Sequence, residues 1–177
     1  MGARGYSAAA VGETIAKARA LAEQLDRPDC LVPLLYSERV FHVIRGEHRL
    51  GLSLAEQMEK LGRARNDEAT LLLGHYLHAI SRYYLGEFAA ARALFEQCHG
   101  LSDPAHRTVY YATLTLEDPH IIRRANLAAV LVRLGYIDQA RALMKETLLE
   151  ARRLSHDFTV SWVFELVVSG GRVCRLC

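Results

Sequence analysis

Three glycines, Gly46, Gly86 and Gly135, each open the same spaced pattern, and this repetition constrains the fold more than any other feature of the chain. Two residues after each stands a larger side chain: His48, Phe88 and Ile137. Five after comes a small residue (Gly51, Ala91, Ala140), nine after Ala55, Phe95 or Met144, and twelve after Met58, Cys98 or Thr147. The second and third copies keep the frame more fully than the first. A glycine in this role ends a helix abruptly, because a left-handed backbone costs it little. Small residues then let two helices approach, and larger ones fill the gap where they diverge. Ala91 and Ala140 are the expected points of close approach, with Phe88, Phe95, Ile137 and Met144 as fillers. Such repetition predicts an all-α chain of antiparallel helix pairs stacked as an α-solenoid, whose working part is a surface and not a catalytic pocket.

Apolar spacing predicts helices over about 11–25, 31–44, 49–64, 88–99, 138–154 and 158–168. Asn66-Asp67 offers an N-cap for a helix reaching Leu85, and Asp118-Pro119 offers a cap with proline at the first helical position for one reaching Leu134. All four prolines are expected near helix starts or connections, none inside a long periodic run. Residues 108–116 alternate β-branched and aromatic types, which leaves helix and extended chain both open there. The organisation expected is an amino-terminal arm over 1–10, a repeat domain over 11–168 and a disordered tail over 169–177.

With 51% apolar and 24% charged residues, the 177-residue chain is long enough and apolar enough to bury a core. Its 22 basic and 20 acidic side chains nearly balance, which gives no electrostatic reason to expect nucleic acid or an anionic membrane as partner. Four scattered cysteines do not make a disulfide framework, no apolar run approaches a membrane span, and residues 1–10 lack a signal-peptide core. A reducing, cytoplasmic setting is expected.

The Gly86, Phe88, Ala91, Phe95, Cys98 and Gly135, Ile137, Ala140, Met144, Thr147 spacings resemble the second helix of a tetratricopeptide repeat. The repeat's first-helix signature of Trp, Leu, Gly and Tyr falls instead on His75, His78, Ala79 and Arg82, and on Arg124, Leu127, Ala128 and Leu131. The steps are long and unequal, 40 residues from Gly46 to Gly86 and 49 from Gly86 to Gly135, so the repeats are divergent, with an insertion around 101–118. A further resemblance rests on Arg4-Gly5-Tyr6-Ser7, the run from Ala18 to Leu25, Leu85-Gly86-Glu87-Phe88-Ala89-Ala90-Ala91-Arg92, the run from Ser102 to Arg107, Glu117-Asp118-Pro119 and Leu134-Gly135-Tyr136-Ile137-Asp138-Gln139-Ala140. These are similar to the carboxy-terminal helical-repeat region of bacterial multidomain adenylate/guanylate cyclases that carry a central ATPase module. The resemblance implies a non-catalytic scaffold, a fragment or truncated relative of such a signalling regulator. No phosphate-binding Gly-x-x-x-x-Gly-Lys-Ser/Thr loop and no cyclase aspartate pair is recognisable. Ser37-Glu38-Arg39 stands where that family usually has small and aromatic residues, and the similarity fades after Trp162.

In the tetratricopeptide class the first helix of each pair lines a concave face. The resemblance puts Pro33, Tyr36, Val40 and Val43, then Leu73, Tyr76, Ile80 and Tyr83, then Ile122, Ala125, Ala129 and Val132 on that lining. It is apolar and aromatic and lacks the Lys/Asn pairs that clamp a terminal carboxylate, so a helix or apolar peptide is the implied ligand. The competing expectation is that part of this lining packs against the chain itself. Phe158, Trp162, Val163, Leu166 and Val167 form a last apolar stripe, expected either to pack on the preceding helix or to self-associate. His75 and His78, with Cys98-His99, have zinc-ligand chemistry, and Cys174-x-x-Cys177 is half a zinc knuckle. Both sit where packing or a tail explains them, so no metal, cofactor or catalytic residue is expected. A helical-repeat nucleic-acid binder is the alternative function, marked by a basic concave face with steep salt dependence.

Overall fold

The three turn glycines all adopt the left-handed backbone, with φ of 78° at Gly46, 81° at Gly86 and 84° at Gly135. At Gly46 the helix end closes as a Schellman motif: the Gly46 N–H donates to the Val43 carbonyl (3.0 Å) and the Glu47 N–H to that of His42 (2.9 Å). Gly135 and Tyr136 repeat it on Val132 (3.1 Å) and Leu131 (2.9 Å). The residue after each glycine is nearly superposable, with φ, ψ of −83°, 56° at Glu47, −85°, 59° at Glu87 and −82°, 59° at Tyr136. One local geometry thus launches three helices.

The computed structural model describes residue 5, residues 7–25, 27–98 and 103, residues 118–154, and residues 160, 161 and 163. Among these are seven helices and no strand: α1 (Ala9–Gln24), α2 (Pro28–Ile44), α3 (His48–Arg65), α4 (Glu68–Tyr84), α5 (Phe88–Gln97), α6 (Pro119–Arg133) and α7 (Ile137–Arg153). The ambiguous stretch 108–116, Trp162 and the Cys174/Cys177 pair lie outside the described residues.

The chain divides into two units, residues 1–85 and 86–177. In the first, α1 packs on α2, α2 on α3 and α3 on α4; in the second, α5 packs on α6 and α6 on α7. The positions five and twelve after each turn glycine are buried in every copy: Gly51 and Met58, Ala91 and Cys98, Ala140 and Thr147. The position at nine is buried as Ala55 and Phe95 but only half-buried as Met144. Fully enclosing Met58 or Phe95 is worth roughly 1.5–3 kcal/mol each, which makes these positions the anchors of their units. Polar ties supplement them. Arg19 on α1 reaches Glu38 of α2 (2.7 Å) and Gln57 of α3 (2.9 Å), and Arg124 on α6 reaches Glu146 of α7 (2.7 Å).

Several boundaries differ from the expected ones: α1 begins two residues early, at Ala9, within the stretch expected to be an arm. α2 begins three residues early, at Pro28, so Pro33 lies in its second turn and not its first. Proline at the first helical position removes only an N–H that has no helical partner, and Pro33 removes a single bond in the second turn. Asn66 does not cap α4; it takes the left-handed backbone (φ 51°) that ends α3. Asp67 alone caps α4, accepting from the Thr70 N–H (3.1 Å) and the Thr70 hydroxyl (2.6 Å). Asp118 caps α6 as its sequence implies, accepting from the N–H groups of His120 (2.9 Å) and Ile121 (3.0 Å).

Candidate protein-binding face

Of the groove residues in the first unit, Leu73 and Tyr76 are buried, whereas Tyr36, Val40 and Val43 of α2 and Ile80 and Tyr83 of α4 are half-buried. Pro33 is half-buried as well. In the second unit, Ile122 and Ala125 of α6 are buried, and Ala129 and Val132 are half-buried. The buried four pack within the protein and offer little surface; the other named positions retain more.

What joins α2 to α4 is a residue outside that lining. Arg39 projects from α2, keeps only 4% of its surface, and donates through Nη2 to the Leu77 carbonyl (3.2 Å) and the Ser81 hydroxyl (3.4 Å) of α4. Its Nε is buried with no hydrogen-bond partner. Burial pushes the guanidinium below its usual value, opposed by the nearby phenols of Tyr76, Tyr36 and Tyr84. No carboxylate among the described residues pairs with it. A cation thus sits beside groove tyrosines that the sequence presents as apolar lining. A signal for it was available: seven residues before the other turn glycines stand Ala79 and Ala128, and before Gly46 stands Arg39.

The histidines considered as zinc ligands have a carboxylate that their spacing did not reveal. Glu59 of α3, almost wholly buried, lies 2.7 Å from His78 Nδ1 and 3.7 Å from His75 Nε2, and its other oxygen neighbour is Arg63 at 3.2 Å. Arg82 Nε donates to His78 Nε2 at 3.1 Å. An arginine can only donate, so His78 carries its proton on Nδ1 and gives it to Glu59. Burial lowers the basicity of His75, and Arg63 and His78 lower it further against the pull of Glu59. The arrangement locks α3 against α4 next to Gly74, where a Cβ would stand 2.7 Å from the Glu59 backbone nitrogen. Among the described residues, no three His, Cys, Asp or Glu side chains are placed to hold a metal ion.

At the α2–α3 turn, Ile44, Leu50 and Tyr84 are exposed, and the His48 ring stacks on Tyr84 at 4.9 Å. His48 and Leu50, with Gly46, Glu47, Arg49 and Leu85, line a shallow open depression there. No helix among the described residues is long and apolar enough to cross a membrane. Comparison with protein-family models, with curated proteins and with solved structures finds no match to this chain.

Proposed function

We propose that this chain is a non-catalytic interaction scaffold built from divergent tetratricopeptide-like repeats, which binds a peptide or helix of a protein partner on the first helices of its pairs. The observation that carries the reading is the threefold recurrence of one turn: left-handed glycine, the same backbone at the next residue, and buried positions at five and twelve. Recurrence of a turn together with its packing positions is what stacked helix-pair repeats require. The half-buried Tyr36, Val40, Val43, Ile80 and Tyr83 suit an apolar, aromatic ligand, since tyrosine rings bury while their hydroxyls stay hydrated. The resemblance to the repeat region of cyclase–ATPase regulators places the scaffold in cytoplasmic signalling, and it rests on the sequence alone.

The test is to select binders to the purified chain from a randomised peptide library and remeasure them on Tyr36→Ala and Tyr83→Ala chains. The reading requires apolar or aromatic peptides that weaken about tenfold or more on each, the loss typical of an interface anchor. Absence of binders, or binders indifferent to both substitutions, overturns it. Self-association through the Trp162 stripe is checked separately by light scattering of the full chain beside one ending at His156; equal monomeric masses remove that role.

A further inference from the structure

Helix α1 repeats α3 without a turn glycine to announce it. Val11, Ile15, Ala18 and Ala22 stand 40 residues before Gly51, Ala55, Met58 and Gly62, the step that also separates Gly46 from Gly86. All four are buried in α3; in α1, Ile15 and Ala22 are buried and the other two half-buried. The polar ties shift by the same 40 residues. Arg19 of α1 donates to Glu38 of α2 at 2.7 Å, and Glu59 of α3 lies 2.7 Å from His78 of α4. So α1 meets α2 on the flank by which α3 meets α4. The opposite flank of α3 turns to α2, with Gly51 against Val43, Leu54 buried and Leu61 half-buried. On that flank of α1 the corresponding Thr14 is exposed, and Leu21 keeps 54% of its surface where α3 has Leu61. Leu25, one turn on, keeps 62%. The open ridge therefore lies where α3 receives the first helix of its pair.

A helix of that kind is legible later in the chain. Gly170 follows Gly135 by 35 residues, and Val160, Ser161 and Val163 stand ten, nine and seven residues before it. These three are helical, and are half-buried, exposed and fully buried in that order. Tyr36, Ser37 and Arg39 show the same order at the same distances before Gly46, and Ala79 and Ala128 are likewise buried seven before their glycines. The apolar stripe of 158–168 thus falls in the register of a first helix.

We propose that copies of this chain join head to tail, the 158–168 segment of one docking on the Leu21–Leu25 ridge of α1 in another and completing a helix pair like that of α2 and α3. The inference rests on the repeat-scaffold reading and gives that scaffold one partner, a second copy. Two apolar stripes leave water together at such a contact. Because different surfaces meet, the contact is heterologous and either propagates or closes into a ring.

The experiment follows mass by gel filtration with light scattering as concentration rises. It compares the full chain, Leu21→Asp/Leu25→Asp, Leu166→Asp and an equal mixture of the two variants. The full chain is expected to associate, and the α1 variant to stay monomeric at concentrations about a hundredfold higher, as for two lost interface anchors. The mixture should form a dimer and stop there, since one variant keeps the docking segment and the other keeps the ridge. Leu21 and Leu25 are exposed, so their variant should keep the native circular dichroism and melt. It carries the test alone where Leu166→Asp does not fold: undiminished association in it overturns the inference. Dimers of the Leu166→Asp chain by itself show like surfaces meeting and overturn it too. A full chain that stays monomeric throughout also overturns it, and leaves the peptide-binding reading to the Tyr36 and Tyr83 substitutions.

Discussion

Helices α3 and α7 follow the same turn and then solve close packing differently. At five and sixteen residues past the turn glycine, α3 has Gly51 and Gly62, whereas α7 has Ala140 and Ala151, and all four are buried. A methyl at Gly62 would stand 2.5 Å from the Leu71 backbone nitrogen, and one at Gly51 would stand 2.8 Å from Val43 Cγ2. The facing first helices differ in the opposite sense, Arg39 in α2 against Ala128 in α6. The turn therefore sets where helices meet, and the residues at those points set how near they come and what else fits between them. The first unit trades side-chain volume on α3 for a buried cation on α2, while the second keeps alanine on both sides.

Forcing one solution on the other should break each, with the largest loss where a charge is introduced. Ala128→Arg places a charge in a site that lacks the glycine opposite it, at a cost of about 4 kcal/mol or more, the range for an unpaired buried charge. Its thermal melt should lose cooperativity; a melt near that of the native chain would show that the second pair has the same room as the first. Gly62→Ala meets backbone that cannot rotate away, so a loss of about 3 kcal/mol is expected in urea unfolding. Ala151→Gly, the reverse change in α7, should cost only about 1 kcal/mol, the helix-propensity difference. Gly51→Ala clashes with Val43 Cγ2 and meets Ser81 and Arg39 at ordinary contact distance, so its cost of about 1–2 kcal/mol should shrink in a Gly51→Ala/Val43→Ala pair. Strict additivity of those two changes would mean that Val43 is not the obstacle.

The turns themselves should be equal. A Cβ at Gly46, Gly86 or Gly135 meets nothing within 4 Å, so replacement by Ala carries only the left-handed backbone penalty. Each should cost about 1–2 kcal/mol, and a clear outlier among the three would show that one turn is not a copy. The smallest effect is a pH dependence confined to the α3–α4 pair. Burial holds His75 below its ordinary value, with Glu59 and Arg63 of α3 and His78 of α4 around it. The folded state therefore favours neutral His75. Its contribution is fully present above about pH 6.5, the unfolded value, and is lost as pH falls from there toward the lower folded value. His75→Gln should flatten unfolding free energy across that window; an unchanged slope assigns it to other groups.

The glycine frame, the Asp118 cap and the buried residues at five and twelve were legible in the sequence because each depends on a few neighbouring residues and a fixed period. The start of α2 was less so, since Pro28 and Pro33 both permit a helix start and only packing selects between them. Within the candidate face, spacing named the positions and could not sort Leu73, Tyr76, Ile122 and Ala125, which are buried, from Tyr36 and Tyr83, which keep some surface. Side-chain exposure depends on which helix lies across the gap, a distance of tens of residues along the chain.

By itself the sequence determined an all-helical chain, three equivalent turns and the contact points that follow them, all consequences of backbone preference and helical period. Tertiary structure alone decided that Arg39 reaches across to Leu77 and Ser81, and that Glu59 joins His75 and His78. Those partners lie 38 and 42 residues from Arg39 for the first and 19 from His78 for the second. No local rule relates residues so far apart. Their meeting follows from how closely the glycines of α3 and α4 let two helices approach, and that separation decides which polar groups lose water and must find each other.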